Sequence, residues 1–434
     1  MKNSRIILIS IFLFVAFFEL LIHLETFSSS VFEVRWVDKF IGTYYYEFFL
    51  GLVTFIILTL FVVLMNNTKL LLIWFIKGFW VTLIFMLFYE WKYHGMDTYY
   101  YAMRAFIRHF PSLHGSGTEN VASINSYFTY LVGNSYYSLK VLNAFIGFIG
   151  LILLYKTYEY ILQKNQWKLD ERFLYIFFLF PTVLFWSSIL GKDPLNLFFI
   201  GLFSYGFIHL IDNFRIRYVV MIFIAIWWVS YIRSWWSVIM ITSIFLYYIR
   251  INSTRDFLLF LIVLPIFGFA ALQFLHMHGI SSFDQAFAKM TETSKNLAYG
   301  GSSVGTHVIT GIGDYLLYFI PNFFTSLYRP MPWDIRNAFS ALAAIENVVL
   351  LYLTYKYIIK NWKKIYNDRY LRFYIMLIFS WSLLYVIISP TNLGMAVRFK
   401  LQVLPEMLIL IGAAMAMQKK TEEAKEKEVV FLAK

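Results

Sequence analysis

Apolar runs close to 20 residues long recur from one end of the chain to the other, parted by short polar gaps. An α-helix of about 20 residues rises roughly 30 Å, the thickness of the hydrocarbon in a bilayer. The pattern predicts about twelve transmembrane helices, at 5–24, 45–65, 70–90, 136–155, 172–190, 195–211, 217–232, 235–249, 256–275, 340–359, 372–389 and 401–417. Segments of about ten residues alternating with period two, the mark of a membrane β-barrel, are not what the chain shows. The expected fold is all-α: a polytopic helical membrane protein, with one integral-membrane domain over 1–417 and a short charged cytoplasmic tail at 418–434. Lys2 and Arg5 precede the first run as in a secretory signal. That run is long and no small-residue cleavage site follows, so it reads as a membrane anchor.

Two gaps are long, at about 91–135 and 276–339. The second contains 312–328, IGDYLLYFIPNFFTSLY, apolar enough to enter a membrane. A full crossing there would reverse everything after it, so a re-entrant or interfacial segment interrupted by Pro321 is expected instead. Basic residues set the orientation. With both termini in the cytoplasm, Lys156, Lys164, Lys168, Arg172, Arg215, Arg217, Arg250 and Arg255 lie inside, as does the cluster from Lys356 to Arg372. With Lys69 and the two tails this gathers 22 of the 37 lysines and arginines into short inner loops. The long loops then face outward, and the expected location is the cell membrane.

Composition removes several function classes. Charged residues make up 14% of the chain, against about 25% in soluble domains. The net charge of +12 is explained by topology-setting loops, so no nucleic-acid partner is expected. The absence of cysteine excludes disulfides and thiolate metal sites. No phosphate-binding Gly-rich loop, dinucleotide fingerprint or H-E-x-x-H zinc pattern occurs. No cofactor is predicted; a divalent metal stays open, without a visible ligand set. His94, His109, His114, His276, His278 and His307 fall in the outer segments. Only His276 and His278 alternate, and without further spaced ligands all six read as surface histidines.

The remaining chemistry is concentrated on the outer side. Asp97 opens a stretch in which Tyr100, Arg104 and Arg108 recur at helical spacing, an amphipathic helix lying on the surface. Asp97 either caps that helix or meets a headgroup-level ligand. Lys192 and Asp193 form the outer turn of FPTVLFWSSILGKDPL. Lys192 suits a phosphate, while Asp193 followed by Pro194 also suits a helix start. Arg233 stands outside against the charge bias, beside Trp235 and Trp236, as an anion ligand or an interfacial anchor. Arg329, Asp334 and Arg336 cluster in SLYRPMPWDIRN, and Glu346 falls about two turns inside the next helix. An ionisable residue there marks a functional site or a buried pair, such as with a neighbouring arginine. Arg398 and Lys400 lie at the mouth of the last span and Glu406 just inside it. Lys192, Arg233, Arg329 and Arg398 together suggest a basic pocket for phosphate or diphosphate, which planar guanidinium groups can clamp.

Taken in order, G-M-D-T-Y-Y-Y-A at 95–102, F-P-T-V-L-F-W-S-S-I-L-G-K-D at 180–193, Arg233, R-P-M-P-W-D at 329–334 with A-A-I-E-N at 343–347, and N-L-G-M-A-V-R at 392–398 resemble bacterial multi-pass membrane glycosyltransferases of the C-type superfold. The likeness covers most of 90–410 and extends to O-antigen-type polymerases of exopolysaccharide repeat units. It implies a polyprenyl-phosphate or diphosphate donor, and an acidic residue in the first outer loop that deprotonates the acceptor. That role falls to Asp97. In the family the acidic loop follows the first span, often as Asp-Glu; here it follows the third, as Asp-Thr. The function expected is sugar or glycan transfer from such a donor at the extracytoplasmic face. Lys192, Arg233, Arg329 and Arg398 would bind the donor phosphate, with Arg104, Asp193, Asp334, Arg336 and Glu346 in support. Membrane lipid and other polysaccharide-assembly proteins are the expected partners. A lipid-linked-oligosaccharide flippase or other secondary transporter is the alternative; polar residues at mid-depth would favour it. A membrane acyltransferase would need a deep histidine, and neither His23 nor His209 stands deep in its span.

Overall fold

The computed structural model describes residues 44–86, 89–90, 96–107, 117–250, 254–277, 279–298, 301–305 and 308–432. The fold is all-α: the described residues are 85% helical and contain no strand. The first anchor, expected at 5–24, lies outside them, as do His94, Arg108, His109, His114, His278 and His307. The chain divides into two compact units.

The first unit contains α1 (Tyr44–Leu64), α2 (Thr68–Phe85), α3 (Met96–Ile107), most of α4 (Gly117–Val132) and the first turns of α5 (Tyr136–Lys164). Aromatic rings join α1 to α2: Phe55 stacks on Trp74 at 5.6 Å and meets Phe79 at 5.9 Å. The indole N–H of Trp74 donates to Thr59 Oγ1 at 3.0 Å. From Phe75 onward α2 is wound as a π-helix. It carries the fully buried Lys77, whose Nζ donates to Ser188 Oγ at 2.8 Å. A second buried amine, Lys140 on α5, pairs with Glu90 Oε2 at 2.8 Å. Helix α3 is amphipathic as expected. Thr98, Tyr101, Ala102 and Ala105 form its buried face, and Asp97 and Arg104, seven residues apart, share the exposed one.

The second unit holds residues 113–121, the rest of α5, and everything after it except 188–191. Its helices are α6 (Arg172–Leu179), α7 (Pro181–Trp186), α8 (Lys192–Asp212), α9 (Ile216–Ile232), α10 (Ser234–Ile249), α11 (Thr254–Met277), α12 (Phe283–Leu297), α13 (Ile312–Tyr328), α14 (Ala338–Ile359), α15 (Trp362–Asn367), α16 (Arg369–Ile388), α17 (Leu393–Lys400) and α18 (Leu404–Leu432). Two glycines set the crossing of α5 and α8. A Cβ on Gly150 would lie 2.6 Å from Leu197 O, and one on Gly201 would overlap the Gly150 carbonyl. Close approach through small residues is how helices associate where lipid offers no hydrophobic contrast. At the C-terminus of α8, Asp212 accepts the hydroxyls of Tyr160 at 2.5 Å and Tyr370 at 2.7 Å, pinning α5, α8 and α16.

Among the described residues, four helices are long and apolar enough to cross a membrane: α2, α5, α8 and α14. They become five if α17 and α18, bent by 60°, form one span. Helices α9 and α10 and segments of α1 and α11 are apolar but shorter, at 10–17 residues. The run expected to cross at 172–190 is instead α6 and α7, of 8 and 6 residues. Phe180 is extended (φ −58°, ψ 125°) because the ring of Pro181 disfavours helix at the residue before it, and Pro181 starts the next helix. In contrast, Pro321 does not interrupt 312–328. Helix α13 runs through it, forgoing one ladder bond and keeping the others, as an apolar environment favours. The tail after 417 continues α18 as helix to Leu432.

Candidate functional site

The turn that ends at Gly191 delivers Lys192 and Asp193 to the first turn of α8. The α9–α10 junction is extended at Arg233 (φ −146°, ψ 92°), which turns that side chain out of both helices. Asn392 caps α17, accepting from the amides of Gly394 at 3.0 Å and Met395 at 3.2 Å, and α17 carries Arg398 and Lys400. The three elements meet at Asp193. Arg233 Nη2 donates to Asp193 Oδ1 at 2.7 Å and Arg398 Nε donates to Oδ2 at 2.7 Å. The Asp193 side chain is wholly buried, and those of Arg233 and Arg398 are 12% and 9% exposed. One carboxylate thus holds two guanidinium groups in the interior.

Aromatic rings enclose the pair. Arg398 lies 5.3 Å from the Trp186 ring centre and Arg233 5.5 Å from that of Phe399. These are distances at which a cation is drawn to the ring face. Tyr385 packs on Phe399 at 5.2 Å and stacks on Trp381 at 5.0 Å. Gln402 Oε1 accepts from the indoles of Trp236 at 2.5 Å and Trp381 at 3.2 Å. Two buried donors are unspent: Arg233 Nε–H and Gln402 Nε2 have no hydrogen-bond partner. Buried donors are seldom left bare.

A second buried pair adjoins this one along α17. Lys400 Nζ donates to Glu346 Oε1 at 3.2 Å and also to Asn347 Oδ1. The other Glu346 oxygen accepts the Thr182 amide at 2.7 Å. Asn347 Nδ2 in turn donates to Pro330 O at 2.9 Å, tying the 329–334 turn to α14. Glu346 therefore has a structural partner, and it is Lys400 rather than an arginine. Sequence reasoning also passed over Asn347, Gln402 and Thr182. Asn347 is contiguous with Glu346, and Lys400 stands two residues after Arg398, so both adjacencies were available as signals.

The other candidates are held separately. Arg329 binds Asp334 bidentately, Nε to Oδ2 at 2.9 Å and Nη2 to Oδ1 at 2.6 Å. Hydrogen bonding from Arg329 holds the Asp334 carboxyl below its ordinary range. The Arg329–Pro330 peptide bond is cis. Arg336 is exposed and donates to the Gly301 carbonyl. Lys192, half-buried, donates to Thr118 Oγ1 at 2.7 Å. Gly117 beside it approaches the Ile232 carbonyl so closely that a Cβ would collide, and Asn120 Nδ2 donates to Tyr231 O at 3.0 Å. Asp97 and Arg104 belong to the first unit, where Arg104 lies 5.4 Å from the Tyr100 ring centre. Of the four expected phosphate ligands, then, Arg233 and Arg398 converge on one carboxylate. Arg329 is engaged by Asp334, and Lys192 by Thr118. Among the described residues no three His, Asp or Glu side chains gather as a metal site.

No known protein family, curated protein or solved structure matches the chain. The functional reading rests on the residues themselves.

Proposed function

We propose that this chain is an integral-membrane glycosyltransferase or polysaccharide polymerase. It moves a sugar or glycan from a polyprenyl phosphate or diphosphate carrier, in the synthesis of exopolysaccharide or another cell-envelope glycan. The proposal includes about twelve spans, both termini in the cytoplasm, and chemistry at the extracytoplasmic face of the cell membrane. One observation carries it: Arg233 and Arg398 share Asp193 in a buried, ring-lined position, with Arg233 Nε–H still unspent. Such a pair can accept a phosphate oxygen without unmaking its internal support.

In this reading the acceptor hydroxyl oxygen attacks the anomeric carbon and the bond from that carbon to the carrier phosphate oxygen breaks. The electron pair leaves with the phosphate. Arg233 and Arg398, already fixed, stabilise the charge that grows on it. Lys192 and Arg329 extend the basic surface to a second phosphate. Asp97 takes the proton from the acceptor hydroxyl. Because the donor already carries its leaving group, no nucleotide is consumed.

The direct test is donor retention. Purified protein in nanodiscs is examined by native mass spectrometry with polyprenyl phosphate and polyprenyl diphosphate. Arg233→Lys keeps a charge for Asp193 but loses the planar fork and its Nε–H. Weaker retention of either lipid in the variant supports the reading; equal retention removes Arg233 from donor binding. A transporter of lipid-linked glycan is the second reading, favoured by the Lys140–Glu90 pair buried in the first unit. It requires the lipid to change leaflet with its glycosidic bond intact.

A further inference from the structure

One end of the second unit gathers three cations over a single set of linked rings. Asp212 closes α8 and Lys164 closes α5, two of the helices long and apolar enough to cross a membrane. Side chains at such ends stand at headgroup level. The Tyr160 ring stacks on His209 at 4.0 Å and meets Tyr370 edge-on at 6.4 Å, and His209 packs on Tyr218 at 5.2 Å. Over this set lie Lys164, 5.2 Å from the Tyr160 ring centre, Arg217, 4.6 Å from that of Tyr218, and Arg369, 4.7 Å from that of Tyr370. The three come from α5, α9 and α16.

The cations are held in place as well as gathered. The Asp212 side chain is 5% exposed; Lys164 Nζ lies 3.3 Å from its Oδ2, and Arg369 Nη2 pairs with its Oδ1. Arg217 and Arg369 also donate through Nη2 to the hydroxyls of Tyr218 and Tyr370, at 2.6 Å each. Asp368, beside Arg369, is turned back into α16, where it accepts the amides of Tyr370 and Leu371 at 2.9 Å. Lys164 and Arg369 nonetheless keep 40% and 51% of their side chains exposed, and Arg217 is exposed too. A guanidinium carries five N–H donors in a rigid fork. Arginines already fixed through Nη2 bind an anion at a low entropic cost.

The adjoining α8–α9 junction reads Phe214-Arg215-Ile216-Arg217, and all four residues are exposed. Apolar side chains interleaved with arginines at the end of a span suit a partner that is anionic at its surface and apolar beneath. A free anion offers nothing to Phe214 and Ile216. We propose that Lys164, Arg217 and Arg369 bind the headgroup phosphate of an anionic phospholipid, with Phe214 and Ile216 entering among its acyl chains. The site lies at the end of α8 opposite Asp193 and does not depend on glycan transfer.

The purified full chain in detergent is titrated with phosphatidylglycerol and, separately, with phosphatidylcholine of the same acyl chains, and bound lipid is read by native mass spectrometry. The wild type should retain phosphatidylglycerol in preference to phosphatidylcholine. Lys164→Gln/Arg217→Gln should weaken that retention roughly 25-fold, about fivefold for each cation near the surface. Lys289→Gln/Lys295→Gln removes the same charge from the exposed face of α12 and should leave it unchanged. Phe214→Ser, which alters no charge, should also weaken retention. Melting temperatures of all variants confirm that they are folded. No preference for phosphatidylglycerol in the wild type, or equal loss in the two double variants, would overturn the proposal. Full displacement of the lipid by millimolar inorganic phosphate would overturn it too, because the phosphate alone would then be the ligand.

Discussion

Replacing Asp193 by asparagine strikes the point where α8, the α9–α10 junction and α17 are joined. The side chain keeps its size but loses its charge, and one of its two acceptor oxygens becomes an NH2 facing a guanidinium. Two charge-assisted hydrogen bonds are affected, at 2.7 Å each, and such bonds are worth about 1.5–3 kcal/mol apiece. The remaining amide oxygen recovers about 1 kcal/mol as an ordinary acceptor. The expected net loss is about 3 kcal/mol, at the lower end of the roughly 3–5 kcal/mol seen when one partner of a buried ion pair is removed. The lower end fits because Arg233 and Arg398 are 12% and 9% exposed and water can partly compensate. The assay is equilibrium unfolding of the purified protein in mixed detergent, with Arg398→Gln and the double variant completing a cycle. Residues sharing one ionic network couple by about 0.5–3 kcal/mol. A single-variant loss below about 1 kcal/mol, or additivity within about 0.3 kcal/mol, would refute the shared-carboxylate arrangement.

Three further outcomes are expected. Gly201→Val should destabilise by about 1–3 kcal/mol or more through overpacking against Gly150, whereas Gly268→Ala, with open space around it, should leave the melting temperature unchanged; equal behaviour of the two would contradict the close crossing. Cysteines introduced at Lys164 and Lys363 should resist an impermeant thiol reagent in intact cells, and labelling of either from outside would invert the proposed orientation. Asp97→Asn, a near-isosteric change on the exposed face of α3, should melt normally yet lose about 10²–10⁴-fold in transfer rate; near-normal transfer would take Asp97 out of the chemistry.

Much of the second unit could be read from the chain before its structure was described. Helices stand at nearly all the apolar runs, because hydrophobic length and period are local properties. Three polar residues chosen from separate motifs, Asp193, Arg233 and Arg398, meet in space. Their pairing was not legible, since contacts across 40 and 205 positions leave no trace in periodicity. The partner of Glu346 was missed for the same reason: Lys400 is 54 residues away. The break at Phe180–Pro181 was legible in principle from the residue preceding proline. It was masked by the continuous apolar run, which reads as one span when only hydropathy is followed. Glu406 shows the converse limit. Its position inside a span was plain, but that neither of its carboxylate oxygens has a hydrogen-bond partner is a property of the packed helices alone.

Turnover with a defined donor tests the central claim most directly. Purified wild-type protein in nanodiscs is given a radiolabelled glycan on polyprenyl diphosphate, a parallel sample on polyprenyl phosphate, and a glycan acceptor. The account predicts a lengthened glycan and released carrier. In folded Arg233→Lys the rate should fall roughly ten- to a hundredfold, the value of one charge-assisted contact at about 1.5–3 kcal/mol. Folded wild-type protein that leaves the glycosidic bond of both donors intact, or a variant that turns over at the wild-type rate, would contradict it.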